Sequence, residues 1–116
     1  MKVTVYGIRN CDPMKKAFAW LDSNGVAYDF HDYKRAGVPP GRLAAWAKSV
    51  GWETLANTRG STWRKIPEAD RQGLGQASAL RLLAEHASAI KRPVVEWDGQ
   101  VTVGFDAAEF ARRAGQ

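Results

Sequence analysis

The sequence predicts an α/β domain whose elements follow the order βαβ, helical insert, ββα. Three observations predict this order: a strand, helix and strand pattern at the N-terminus, a middle stretch of roughly fifty residues with helical spacing, and a hairpin followed by a helix at the C-terminus. A length of 116 residues fits a single domain. We therefore expect one domain over 1–116, with a core of about 1–33 and 90–116 and an insert of about 34–89.

The N-terminal segment has the pattern of a βαβ unit. The β-branched and aromatic run at 3–6 predicts a strand. Apolar residues at helical spacing predict a helix over about 13–24, which Asp12 can cap and Gly25 ends. Alternation of apolar and polar residues over 26–31 predicts a second strand. Because a helix joins the two strands, they should lie parallel.

The predicted insert consists of helices. The pair Pro39-Pro40 is expected to open a helix that Gly51 ends, since proline fits the first turn of a helix and glycine the position after the last. Shorter helical pieces are predicted around 62–72, and a longer helix over 76–86. The apolar residues expected on the buried faces of the two longer helices are Leu43, Trp46, Val50, Ala77, Leu80, Leu83 and Ala84.

β structure returns near the C-terminus. Two short β-prone runs flank Asp98-Gly99, which predicts a hairpin with a type I′ turn. Asp106, followed three residues later by Glu109, has the spacing of a capping box and should begin the last helix. That helix is expected to bury Ala107 and Phe110.

Composition argues against several classes of function. Since no apolar stretch approaches the ~20 residues of a membrane span and the first one is too short for a signal peptide, we expect a cytoplasmic protein without a membrane partner. The net charge of +5 comes from scattered Lys and Arg, so we expect small anionic ligands rather than nucleic acid. His31 and His86 lack metal-ligand spacing with each other or with the cysteine, and no metal site is expected.

The single cysteine, Cys11, is the candidate nucleophile. It lies between the first strand and the first helix, where N–H groups without intrahelical partners stabilise a thiolate. The alternative is a buried structural thiol, which is the commoner role, but the polar Arg9-Asn10 pair is a poor lining for a core pocket. The carboxylate of Asp12 opposes ionisation, and the lysines of the first turn only partly offset it. A lone cysteine also excludes a Cys-x-x-Cys redox pair, so a second thiol must come from another molecule.

Four segments carry a family resemblance: YGIRNCD at 6–12, FHDY at 30–33, NTRGSTWRK at 57–65 and IKRPV at 90–94. Together they resemble the ArsC/Spx family of arsenate reductase-like proteins, and within it the YffB branch. The resemblance covers nearly the whole chain and implies a thioredoxin-like fold with a mixed four-stranded sheet. It also implies a reductase without a bound cofactor, whose cysteine attacks a disulfide or oxyanion substrate and is resolved by glutathione or another small thiol.

The resemblance implies binding residues as well. Arg59 and Arg92 match two of the three arginines that hold the oxyanion in arsenate reductases, and a guanidinium pairs bidentately with such anions. The third position is lost at 104–106, which weighs against arsenate as the substrate. Pro93 matches the cis-proline of thioredoxin-like folds, so we expect a cis Arg92-Pro93 bond whose backbone pairs with glutathione. Beside the cysteine, Asn10 is a candidate hydrogen-bond donor to the thiolate or to a bound oxygen.

A second function stays open on the same resemblance. Proteins of the Spx branch bind RNA polymerase rather than turn over a substrate. Their redox switches typically use Cys-x-x-Cys, and here Met14 occupies the place of the second cysteine. The alternative to the reductase is therefore a redox-independent regulatory adaptor.

Overall fold

The computed structural model describes residues 1–115, which contain four strands and eight α-helices. In chain order they are β1 (Val3–Gly7), α1 (Asp12–Ser23), β2 (Asp29–Asp32), α2 (Tyr33–Ala36), α3 (Pro40–Val50), α4 (Trp52–Leu55), α5 (Ser61–Lys65), α6 (Glu68–Arg71), α7 (Gln76–Glu85), β3 (Val94–Trp97), β4 (Gln100–Val103) and α8 (Ala107–Arg113). A short 3-10 helix, Ala87–Ala89, precedes β3. The order βαβ, helical insert, ββα is confirmed.

The strands form one mixed sheet in the order β2-β1-β3-β4. β1 pairs with β2 in parallel and with β3 antiparallel, and β3 pairs with β4 antiparallel. In this register Gly7 lies opposite Asp32, and Tyr6 lies opposite Val94. The residues that follow β1, those that follow β2 and those that precede β3 therefore meet at one end of the sheet.

The described chain divides into two compact units, one of 1–36 with 92–115 and one of 37–91. The first unit holds the sheet, α1 and α8. Its core is a cluster of side chains from one face of the sheet and from the two helices: Val3, Val5, Met14, Ala17, Leu21, Val95, Trp97 and Phe110. The strand residues of this cluster are two positions apart, and those of α1 are three or four positions apart. These spacings place them on one face of the sheet and one face of the helix, as the sequence patterns predict.

The second unit consists of helices, among which α3 packs against α4 and α7. Its buried apolar side chains include Leu43, Trp46, Ala47, Leu55, Trp63, Ile66, Ala79, Leu83 and Ile90. The prediction for α7 was partly wrong, because Ala77 and Ala84 are exposed and Leu80 is half-buried. Its buried stripe runs through Ala79 and Leu83, four residues apart on one face.

The structure differs from the sequence prediction at three places: the start of the second strand, the cap of α1 and the burial of Ala107. The second strand begins at Asp29 rather than at Val26, because the Val26 N–H donates to the Leu21 carbonyl at 2.9 Å and closes α1. Asp12 is the first residue of α1 and Cys11 is its N-cap, so Asp12 does not cap the helix. Ala107, expected to be buried, is exposed in the first turn of α8, whereas Phe110 is fully buried.

Two local predictions near the C-terminus are confirmed. Asp98 and Gly99 both have positive φ, 48° and 89°, as a type I′ turn requires. Asp106 is the N-cap of α8, and its Oδ1 accepts a bond of 3.1 Å from the Glu109 N–H. The Glu109 carboxylate instead accepts from Arg112 and Arg113, so only one half of the capping box forms. None of the helices within 1–115 is long and apolar enough to cross a membrane.

A close contact between β1 and α1 sets the position of the loop that carries Cys11. A Cβ atom at Gly7 would lie 2.5 Å from the Sδ atom of Met14, which is fully buried. An alanine at the end of β1 would therefore displace the Met14 thioether from its buried position.

We expect Gly7→Ala to lower the free energy of unfolding by about 1–3 kcal/mol, because the added methyl group overpacks a filled core. Urea denaturation measures the change. Gly41→Ala is the matched control: Gly41 lies in α3 with no heavy atom within 4 Å of its Cβ position, so alanine should leave stability equal or raise it by up to about 1 kcal/mol. Equal stability of Gly7→Ala and the original protein would contradict the packing requirement.

Candidate active site

The predicted catalytic residue, Cys11, and the predicted binding residues of the first unit lie at one end of the sheet. Cys11 follows β1 after a three-residue loop, and Arg92 and Pro93 directly precede β3. Because Tyr6 pairs with Val94, the antiparallel register brings these two chain segments to neighbouring positions. The sheet thus places the cysteine segment beside the proline segment, as in the arrangement that the sequence predicts.

Cys11 is half-buried at the N-cap of α1, with extended backbone angles. Its thiol donates a weak hydrogen bond to the Ile8 carbonyl, with the sulfur 3.7 Å from the oxygen. One side of the side chain packs against the core cluster of the first unit. The thiol is therefore neither sealed in an apolar pocket nor fully surrounded by water, and it sits beside the unpaired N–H groups of a first helical turn.

The Arg92-Pro93 peptide bond is cis, which confirms that prediction. Pro93 is buried, and its carbonyl accepts a bond of 2.8 Å from the Gly104 N–H at the end of β4. Arg92 is half-buried. Burial raises the pKa of the Tyr33 hydroxyl, and the positive charge of Arg92 opposes part of that rise because it favours the ionised form of the group. The pairing of this backbone with a thiol substrate stays a prediction.

Arg59 belongs to the second unit, where it is exposed on the turn before α5. In this turn the Gly60 N–H donates to the Asn57 carbonyl at 3.0 Å. Asn57 in turn donates its backbone N–H to the Ala89 carbonyl at 2.7 Å, which ties the turn to the chain just before β3. Trp63, two residues into α5, is buried and packs in the core of this unit. The role of Arg59 as an anion ligand stays a prediction.

Asn10 is exposed and lines a cleft of about 380 Å³ together with residues of the segment after β2. Sequence reasoning missed the basic residues of this cleft, which are Arg9, Lys34 and Arg35. Their signal is present in the sequence, since Arg9 is two residues from the cysteine and the other two follow the second strand. The sequence alone does not show that these residues lie near one another, because this follows from the parallel pairing of β1 with β2.

A polar cluster lies on the sheet face opposite the core cluster. The Tyr6 hydroxyl donates to Glu96 Oε1 at 2.7 Å, and its ring lies 5.2 Å from that of His31. Next to them is Tyr33, which is only 4% exposed. Its hydroxyl has no hydrogen-bond partner within residues 1–115. Burial raises the pKa of Tyr33 far above its ordinary range, and the Arg92 charge only partly opposes the shift. No group of three or more His, Cys, Asp or Glu in the described chain is arranged to hold a metal ion.

The fold and the site together define the class of the protein. A four-stranded mixed sheet, a cysteine at the N-cap of the first helix and a cis-proline before β3 are the features of a thioredoxin-like thiol protein. Residues 6–112 match the ArsC family, and the chain belongs to that family. It is therefore an arsenate reductase-related protein.

Similar proteins agree with this assignment. The chain is 45% identical to the solved YffB protein, with a TM-score of 0.94 over 97% of this chain and 98% of that one. An arsenate reductase (ArsC) related protein from Brucella melitensis is 47% identical, with a TM-score of 0.76 over 97% and 93% of the two chains. The global transcriptional regulator Spx of Streptococcus agalactiae is 25% identical over 93% of this chain and 80% of its own.

Because the Tyr33 hydroxyl is buried, the free energy of unfolding should change with pH in the alkaline range. Because the pKa of Tyr33 is raised in the folded protein, the folded state keeps this proton after the unfolded state has lost it near pH 10. The stabilisation of the folded state that comes from this bound proton is fully present below pH 10, and it is lost as the pH rises above 10. We expect the free energy of unfolding to fall by up to about 1.4 kcal/mol per pH unit through this group, and Tyr33→Phe to remove that slope.

Chemical denaturation between pH 8 and 11 measures the slope. Tyr6→Phe is the matched control, since it also removes one hydroxyl but breaks the bond to Glu96. It should cost about 1.5–3 kcal/mol at pH 7, where Tyr33→Phe should be nearly neutral. An unchanged alkaline slope in Tyr33→Phe would show that another group controls it.

Proposed function

We propose that this protein is a glutathione-dependent thiol reductase in which Cys11 is the nucleophile. The observation that carries the proposal is the placement of Cys11, half-buried at the N-cap of α1 and at the sheet end where Arg92 and Pro93 directly precede β3. A thiolate at this position is stabilised by the unpaired amides of the first turn. Membership of the ArsC family supports the same reaction class.

The proposed reaction is thiol–disulfide exchange in two steps. The Cys11 thiolate attacks the glutathione sulfur of a mixed disulfide, so that a Cys11–glutathione bond forms and the substrate leaves as a thiolate that takes up a proton. A second glutathione thiolate then attacks this intermediate, releases glutathione disulfide and restores the Cys11 thiolate. Over both steps, one mixed disulfide and one reduced glutathione give the free substrate thiol and glutathione disulfide, so the disulfide bond passes from the substrate to the glutathione pair. The need for reduced glutathione suits the cytoplasmic location that the sequence predicts.

The arginines favour an anionic substrate or co-substrate. Arg92 supplies a permanent positive charge at the sheet end that carries Cys11, and Arg59 is proposed as a second ligand on the strength of the family motif. The segment 104–106 supplies no third arginine, and Gly104 there forms a turn with φ of 84°. Two arginines suit a carboxylate-bearing thiol better than a compact oxyanion with charge on every oxygen. We therefore place disulfides ahead of arsenate as substrates.

The similarity to Spx favours a second candidate, a regulatory adaptor that binds RNA polymerase without catalysis. Such a role would not need the sulfur of Cys11. Capture of purified RNA polymerase by both the original protein and Cys11→Ser, together with an unreactive Cys11, would favour the adaptor over the reductase.

The reductase proposal predicts that Cys11 reacts with glutathione disulfide. Intact mass spectrometry should show one added glutathione on the original protein and none on Cys11→Ser. Arg92→Ala should slow the addition several-fold, because the cation that attracts the glutathione carboxylates is lost. The matched control is Arg112→Ala, which removes an exposed arginine of α8 and should leave the rate unchanged. A Cys11 that stays unmodified under conditions where free cysteine reacts would contradict the proposal.

A further inference from the structure

We propose that a basic cleft beside Cys11 binds the carboxylate groups of glutathione, an inference that rests on the proposed function and names the site for its co-substrate. The basic cleft has a volume of about 380 Å³ and is lined by Ile8, Arg9, Asn10, Asp32, Lys34 and Arg35. All six residues belong to the first unit. The volume lies at the lower end of the range of small-molecule sites, roughly 300–1,000 Å³.

The basic cleft exists because β1 and β2 are parallel neighbours. Gly7 and Asp32 are paired at the last position of the ladder, so the chain leaves both strands at the same end of the sheet. Arg9 follows β1 by two residues, and Lys34 and Arg35 lie in the short helix that follows β2. Polar loops at the carboxyl ends of adjacent parallel strands are a common location for ligand sites in α/β folds.

The charges of the basic cleft favour an anion. Three cationic side chains, Arg9, Lys34 and Arg35, surround one carboxylate, that of Asp32, which leaves two positive charges uncompensated within the lining. Asp32 is already engaged, because its Oδ1 accepts a bond of 2.9 Å from the Lys34 N–H. The three cations are solvent-exposed, so they repel one another and attract an anionic ligand that arrives from water.

Arg9 is partly ordered before any ligand binds. Its guanidinium carbon lies 5.0 Å from the centroid of the Phe30 ring, which is a cation–π contact. Holding a long side chain against a ring lowers the entropy that binding must remove. Arg9 is therefore the anchoring cation of the basic cleft, while Lys34 and Arg35 add charge.

The basic cleft shares a wall with the nucleophile. Ile8 lines the cleft, and its carbonyl accepts the hydrogen bond from the Cys11 thiol. A ligand whose sulfur reaches Cys11 can therefore place a group a few bonds away among the three cations. Glutathione carries two carboxylates on the arms that flank its thiol, so its sulfur and its charges match this arrangement. The amide of Asn10, also in the lining, is a further donor to a carboxylate.

Binding can be measured without the reaction. The probe is S-methylglutathione, which keeps both carboxylates but cannot exchange, titrated into the Cys11→Ser protein with calorimetric detection. We expect saturable binding that weakens at least tenfold when Lys34→Gln and Arg35→Gln are introduced together. The diethyl ester of S-methylglutathione, which lacks the carboxylate charges, should bind at least tenfold more weakly than S-methylglutathione to the Cys11→Ser protein. The double variant Lys2→Gln, Lys48→Gln is the charge-matched control, since Lys2 precedes β1 at the opposite end of the strand and Lys48 is exposed in α3.

The outcomes separate this inference from the proposed function. Binding of S-methylglutathione that is absent, or unaffected by the loss of both cations, overturns the basic cleft even if Cys11 reacts with glutathione disulfide. Equal weakening in the double variant Lys2→Gln, Lys48→Gln overturns it too, because net charge alone would then explain the effect. Selective weakening supports the basic cleft, and an unreactive Cys11 in the same preparation would refute the reductase and leave the carboxylate site standing.

Discussion

The pairing of β1 with strands on both sides is the constraint on which the rest of the site depends. β1 is a central strand that is parallel to β2 and antiparallel to β3, so its carboxyl end meets the end of one neighbour and the beginning of the other. This register alone brings together the cysteine after β1, a basic segment after β2 and a cis-proline before β3. A shift of either pairing by one residue would turn every side chain of the shifted strand to the other face and separate these groups.

The local environment of Cys11 follows from how tightly α1 joins this strand. Gly7 has no side chain, so the fully buried Met14 packs directly against the end of β1. This contact places the first turn of α1 close to the sheet, and only four residues, 8–11, connect the strand to the helix. So short a loop makes Cys11 the N-cap. The same Met14 stands three residues after Cys11, where a Cys-x-x-Cys pair would have its second cysteine, so the packing of α1 and the lack of a second thiol depend on one residue.

The sequence was sufficient for the fold because its signals are local. Alternation defines β1, the Asp98-Gly99 turn defines the hairpin, and helical spacing defines α1 and α3. The errors occur where tertiary contacts overrule local patterns: Val26 reads as part of a strand, yet its N–H closes α1. In the site, Cys11 and the cis bond at Pro93 were predictable from position and family motif. The basic residues after β2 were not, since their relation to Cys11 exists only once the strand order is known.

The distribution of positive charge bears on what the site selects. A compact oxyanion is held best when several arginines converge on one point, and the segment 104–106 lacks the third arginine of that arrangement. The cations of this chain are instead spread, with Arg92 before β3 and Arg9, Lys34 and Arg35 around the cleft that adjoins Cys11. Separated cations suit a ligand whose negative charges are themselves separated by several bonds. A peptide thiol with a carboxylate at each end has that form, and this match in the spacing of charges is the reason that we propose glutathione rather than an oxyanion.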